Sequence, residues 1–252
     1  MADTATLTVP TSRDEDWRYA DSGWLDRAQH GAVPEWRTVM VPAGETLCER
    51  VGLAEGAVER VRVAIGKGAR YEAFGVIDRA DYTRVEIEAT LSEGAHFECG
   101  GVTIGGGDAT QEFVTRTVHA HPGATSNQTI RAVQWGRSTG NFLGRIEVVK
   151  DAQKTDAAQN FRALLLEKGA TANTKPELEI FADDVLCAHG AAIGQLDETA
   201  RYYMASRGLP PAVARKLLVQ AFIGDAFVEC ADEGLRDALM GQALAKLDEA
   251  SV

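Results

Sequence analysis

Between about Thr38 and Gly194 the chain shows short runs in which apolar and polar residues alternate, with almost no helical spacing. That pattern is what most restricts the fold. The runs Arg60 to Ile65, Thr83 to Glu88, Phe113 to Val118 and Gly144 to Val149 each read as a strand with one buried face, because successive strand side chains point to opposite sides. Turn punctuation recurs between such runs, at Ala43-Gly44, Gly68-Ala69, Gly94-Ala95, Gly123-Ala124, Asp151-Ala152, Gly169-Ala170 and Gly190-Ala191. The last six of these stand 26, 29, 28, 18 and 21 residues apart. A loose period of this size without helices predicts a β-solenoid, in which each coil buries its face on the next. A β-sandwich or jelly roll also turns at short intervals, and periodicity alone leaves it as the competitor.

The flanks read differently, so the chain divides into an N-terminal arm over 1–37, a β-helix core over 38–194 and a helical domain over 195–252. The arm carries Trp17, Tyr19, Trp24 and Trp36 among charged residues. It is expected to hold a short helix near Trp24 to His30 and to pack its aromatics onto a neighbour. In the C-terminal part, Asp197 is a helix N-cap, Gly208 a stop, and Pro210-Pro211 a restart at a helix N-terminus. From Pro211 to Cys230, Val213, Leu217 and Ala221, with Leu218 and Phe222, form an apolar stripe at helical spacing. Asp232 then caps a helix with Leu235, Leu239, Ala243 and Leu247 on one face. So few helices do not fold alone, and are expected to pack on the end of the β domain, on a partner, or on both.

Composition removes several function classes. A formal net charge of −11 leaves no basic excess for phosphates, which excludes nucleic-acid binding and docking on an anionic membrane. Met1 to Pro10 has neither the basic nor the apolar region of a secretory signal, and no apolar run is long enough to span a bilayer. Cys48, Cys99, Cys187 and Cys230 are scattered, which predicts free thiols in a reducing cytoplasm. Gly66-Lys67-Gly68 and Gly105-Gly106-Gly107 lack the residues that complete a nucleotide-binding loop.

Two pairs carry candidate chemistry. His119 and His121 lie two apart at the end of a strand, which would put both imidazoles on one face. They are half of a metal site, the basis for a cupin-like metal enzyme as the alternative function, although no Glu or third His follows at suitable spacing. Cys187 and His189 also share a face in extended chain, beside Asp183 and Asp184. Thiolate and imidazole are both good iron ligands. Taken alone, however, these residues fit a structural Cys beside a hydrogen-bonded His in a glycine turn better than a ligand pair. A carbohydrate-active β-helix enzyme would need a clear cluster of carboxylates or basic residues, which is missing.

An ordered series of residues tips this balance. Asp151 to Asn160 is followed by Leu164-Leu165-Leu166, then by Thr174-Lys-Pro-Glu-Leu-Glu-Ile-Phe-Ala-Asp-Asp-Val185. Next come Cys187-Ala-His-Gly-Ala191, Gly194-Gln-Leu-Asp-Glu198 and Tyr202-Tyr-Met-Ala-Ser-Arg-Gly208, and the N-terminal part contributes Trp17-Arg18-Tyr19. This series resembles the SufB/SufD family, and within it the SufD branch. The close resemblance covers about 70 residues, by direct reading of the series.

The resemblance implies a right-handed parallel β-helix with a C-terminal helical domain. It also implies a non-catalytic, cytoplasmic scaffold for iron–sulfur cluster assembly. Its partners would be a SufB-type subunit and a SufC-type ATPase, with the nascent cluster shared with SufB and no cofactor held tightly by the isolated chain. His189 matches the position proposed to face the SufB ligand, and Cys187 its neighbour of less settled role. The helices from Tyr202 to about Phe227 match the SufC-docking region, with Tyr202, Tyr203, Arg207, Leu217 and Phe222 as candidates. A free strand edge would pair with itself in isolation, giving a homodimer. The shared ancestry of the branches leaves a SufB-type subunit as a second alternative, and the short N-terminal part departs from relatives with a helical region there.

Overall fold

The computed structural model describes residues 10–29 and 31–250. Residues 1–9, which include most of the Met1 to Pro10 stretch, and His30, at the end of the expected Trp24 to His30 helix, lie outside these. Strands alternate along the chain between two sheets. One holds β1 (Arg37–Val41), β3 (Val58–Ile65), β5 (Thr83–Leu91), β7 (Thr110–His119), β9 (Thr139–Val148) and β11 (Thr171–Ile180), in that order. The other holds β2 (Thr46–Val51), β4 (Arg70–Ile77), β6 (His96–Gly105), β8 (Thr125–Gln134), β10 (Asp156–Leu165) and β12 (Leu186–Gly194). Every neighbouring pair is parallel. The expected β-solenoid is therefore the fold, and the sandwich reading falls.

The coils lengthen along the axis. Arg37 pairs with Val61, Arg70 with His96, His96 with Thr125 and Thr139 with Thr171, so the repeat grows from 24 to 26, 29 and 32 residues. One corner is a ladder in which each turn donates to the next: Gly44 N to Lys67 O, Gly68 N to Glu93 O, Gly94 N to Pro122 O, Gly123 N to Gln153 O and Lys154 N to Asp184 O. The first four donors are glycines at φ 74°, 62°, 64° and 71°, a region disfavoured for other residues. Lys154 takes the fifth place at φ 62° despite its side chain. Gly169-Ala170 belongs to the opposite corner and Gly190-Ala191 lies inside β12, so the 18- and 21-residue intervals are not coil repeats.

Between the sheets lies a core of Val41, Val63, Ile65, Tyr71, Val85, Ile87, Leu91, Phe97, Phe113, Ile130, Phe142 and Phe161, all nearly or fully buried. Tyr71 stacks on Phe97 and Phe142 on Phe161, each at 5.9 Å. A fully buried aromatic side chain contributes about 2–3 kcal/mol. Toward later coils the interior becomes polar, where Gln128 accepts from Thr115 Oγ1 at 2.5 Å and donates to Thr117 Oγ1 at 3.1 Å.

The N-terminal arm packs its aromatics against the solenoid of its own chain. Its helix α1 (Ser22–Arg27) is capped by Asp21, which accepts from Trp24 N. Trp17, Ala20 and Leu25 bury against Val58 of β3 and Tyr82, which immediately precedes β5. The arm also covers Arg84 and Glu112, both fully buried, with Arg84 donating to Asp16 O at 2.7 Å and lying 4.1 Å from the Trp17 ring.

Three helices follow the solenoid: α2 (Glu198–Ser206), α3 (Pro211–Gly224) and α4 (Glu233–Asp248). Asp197 and Asp232 cap α2 and α4, and Gly208 ends α2 at φ 83°. Helices α3 and α4 lie against the outer face of the even-numbered sheet, and α2 packs on α3. Val219, Ile223, Phe227, Leu239, Ala243 and Leu247 pack there on Phe74, Val76, Val102, Ile104 and Val133. Arg131 of β8 is tied to Asp225, and Arg50 of β2 donates to Gln242 at 2.5 Å. The buried face of α3 is Ala214, Val219 and Ile223. Of the predicted stripe, Val213, Leu217 and Ala221 are exposed, while Leu218 is half-buried and Phe222 packs partly on the cluster.

Candidate functional site

The solenoid stops at β11 and β12, each paired on one side only among the described residues. Inward-facing side chains of this last coil therefore have no further coil above them. On β12 these are Cys187, His189, Ala191 and Ile193, because they stand in register over Ala157, Gln159, Phe161 and Ala163, which line the interior of β10. Period-2 alternation puts Cys187 and His189 on this same face. His189 is exposed and Cys187 half-buried. Burial, then the Asp156 carboxylate, raises the Cys187 pKa, so the thiol form is held in the free chain.

Beneath His189 lies an in-register column that runs through the solenoid as Gln159, Gln128, Cys99, Ala73 and Glu49. Gln159 is buried, and its side chain spans the interior to donate to Glu177 O at 3.4 Å. The missing side chain of Gly144 makes this possible, since a Cβ there would lie 2.1 Å from Gln159 Oε1. That oxygen has no hydrogen-bond partner. Sequence reading missed Gln159, because a 30-residue separation becomes adjacency only once the coil register is known.

The two-histidine site does not form. Strand β7 ends at His119, whose ring is buried in the interior and hydrogen-bonded through Nε2 to Ser126 Oγ at 3.0 Å. Desolvation lowers its pKa to about 4. His121 lies in the exposed corner beyond the strand, so the two imidazoles do not share a face. The remaining thiols are also apart from the end coil: Cys99 is in the core, while Cys48 and Cys230 lie between the even-numbered sheet and the helices. Burial pushes Cys48 up to about 12, with Glu72 adding to the effect. No group of three His, Cys, Asp or Glu side chains suited to a metal exists among the described residues. Cys187 and His189 supply two donors, and a metal or cluster held there needs the remainder from another chain.

The second candidate surface is helical. Tyr202 and Tyr203 of α2 are exposed, with Val213 and Leu217 of α3. Arg207 donates to Tyr203 Oη at 3.1 Å and lies 5.1 Å from its ring. Phe222 is half-buried, with the Arg131 guanidinium 5.8 Å from its ring. The described helices include none long and apolar enough to cross a membrane.

Residues 52–222 match the family described as "SUF system FeS cluster assembly, SufBD core domain". An iron–sulfur cluster assembly SufBD family protein of Synechocystis is 37% identical over 164 residues, covering 65% of this chain and 36% of that protein. The iron–sulfur cluster assembly protein SufD of Escherichia coli is 35% identical over 117 residues, 46% of this chain and 28% of the relative. SufD of Bacillus subtilis is 27% identical over 184 residues, 73% of this chain and 42% of the relative. The chain thus spans less than half the length of each of these relatives. With the family match covering well over half of it, the chain belongs to the SufBD family of iron–sulfur cluster assembly proteins.

Proposed function

We propose that this protein is a SufD-type scaffold subunit that builds iron–sulfur clusters jointly with a SufB-type partner at the open end of its solenoid. The observation that carries this reading is the placement of Cys187 and His189 on the inner face of β12, an edge strand paired on one side only among the described residues. A partner strand added to β12 completes the ladder through main-chain hydrogen bonds and closes a dry compartment over the two side chains. The nascent cluster is cargo there: His189 contributes one donor, Cys187 a second or a neighbouring thiol, and the partner the rest. No cofactor is held tightly by the isolated chain, and the role is non-catalytic.

The same reading assigns the exposed surface of Tyr202, Tyr203, Arg207, Leu217 and Phe222 to docking of a SufC-type ATPase. ATP-driven movement there is transmitted to the cluster site through the contact of α3 with β8, provided that the ATPase binds two states of the scaffold unequally. A cytoplasmic location fits this role. The SufD branch is preferred to SufB because the Escherichia coli and Bacillus subtilis relatives above carry the SufD name.

The test is co-expression with SufB- and SufC-type partners, then anaerobic cluster reconstitution read by absorbance. The wild-type complex should build a cluster, and His189→Ala should assemble the complex but lose the cluster bands. Normal cluster yield from His189→Ala would remove the site assignment, and failure of any complex to form would remove the scaffold reading.

A further inference from the structure

The two ends of the solenoid expose the same kind of edge with different chemistry. At the C-terminal end the free edges are β11 and β12; at the N-terminal end they are β1 and β2, which pair only with β3 and β4 among the described residues. All strands of a sheet run the same way, so a second copy displaced along the axis would continue both sheets without reversal. Such head-to-tail contact is heterologous and does not close, and its product is a filament. The fold therefore carries a hazard that something must block.

The first coil holds the block. Arg37 stands in register with the buried Val61, and Glu49 with the buried Ala73, so both charged side chains occupy inward-facing positions at the mouth of the solenoid. They meet across the two sheets, Nη1 to Oε2 at 3.1 Å and Nη2 to Oε1 at 3.2 Å, and Tyr71 Oη donates to Glu49 Oε1 at 2.5 Å from below. The Arg37 and Glu49 side chains are 49% and 21% exposed. The opposite end presents Ala191, Ile193 and Ile180 at its inward-facing positions, with no ion pair among them. Following the register from coil to coil, an in-register stack would bury Arg37 on Pro176 and Glu49 on His189 of the copy below. Burying an exposed ion pair costs desolvation that its own attraction does not clearly recover.

We infer that the Arg37–Glu49–Tyr71 clasp bars copies of this chain from stacking head to tail, and so keeps the Cys187–His189 end free for a different partner. The inference rests on the fold and holds whichever branch of the family the chain belongs to. The test replaces the clasp in the full chain with Arg37→Val and Glu49→Val together, and follows light-scattering mass and negative-stain images against concentration. The double variant should grow with concentration without reaching a plateau and show rods, while wild type does not. Adding Ile193→Lys at the other end should abolish the unlimited growth and the rods of the double variant, since a head-to-tail contact uses both ends. Should the double variant fail to give native circular dichroism and a cooperative melt, Arg37→Met alone removes the more exposed charge and leaves Glu49 tied to Tyr71. A folded variant with wild-type mass at every concentration would overturn the inference, as would wild-type chains that already form rods.

Discussion

His119 shows how a single residue's environment decides between ligand and core. Its sequence position two before His121 invites a metal reading, yet the strand carries it into the interior and leaves His121 in a corner. Burial holds its pKa near 4, against about 6.5 when unfolded. Above about pH 6.5 both states are neutral and the group is silent. As pH falls from there toward 4, the unfolded chain binds a proton that the folded one refuses, so stability drops, by at most about 3 kcal/mol. His119→Gln retains a partner for Ser126 but does not titrate. It should be less stable than wild type by about 1 kcal/mol at pH about 7.5, with the gap narrowing or reversing by pH about 5. Urea midpoints at the two values measure this, and a constant gap would contradict the buried neutral imidazole. Lys154 marks a limit of legibility at the same scale. The fifth corner was read at Asp151-Ala152, and a non-glycine at φ 62° hid that its left-handed position lies at Lys154.

At the scale of elements, strands were legible because each buries one face, and alternation records that directly. The buried face of helix α3 was not, because the helix is apolar on two sides: Ala214, Val219 and Ile223 face the sheet, while Val213 and Leu217 remain outside. Periodicity detects a stripe but does not choose between two, and only the outer face of β4, β6 and β8 makes the choice. The contact between the arm and the odd-numbered sheet was illegible for a related reason, since Arg84 and Glu112 look like members of a solvated face until Trp17 is laid over them. Glu112 accepts from Tyr82 Oη at 2.8 Å and from Asn141 Nδ2 at 2.9 Å, and lies 3.3 Å from Arg84 Nη1. Glu112→Gln removes the charge opposite a fully buried guanidinium and should cost about 3–5 kcal/mol. Glu147→Gln breaks the outward pair with Arg116, where the arginine side chain is 47% exposed, and should cost under about 0.5 kcal/mol. Chemical denaturation of both variants is the check, and equal losses would mean that the arm does not exclude water from the Arg84 cluster.

For the whole molecule, the sequence conveyed a rod of stacked coils but not that both ends keep free strand edges, because this depends on the register of the end coils and on where the helices lie. Among the described residues, α3 and α4 cover the flank of the even-numbered sheet, and β1, β2, β11 and β12 each keep one free edge. An isolated chain is then expected to satisfy β12 by pairing with a second copy about a two-fold axis. Two like chains, each with formal net charge −11, repel as they approach. The inward-facing positions of that edge include the apolar Ala191 and Ile193. Salt should therefore strengthen this dimer by screening the repulsion, the reverse of an interface held by ion pairs, with most of the change complete by about 0.5 M, where the screening length falls to roughly 4 Å. Sedimentation across a salt series should show the dimer fraction rising, and Ala191→Lys should leave monomer throughout by placing an unpaired ammonium in the ladder. A dimer that weakens with salt, or that survives Ala191→Lys, would place the contact elsewhere on the molecule.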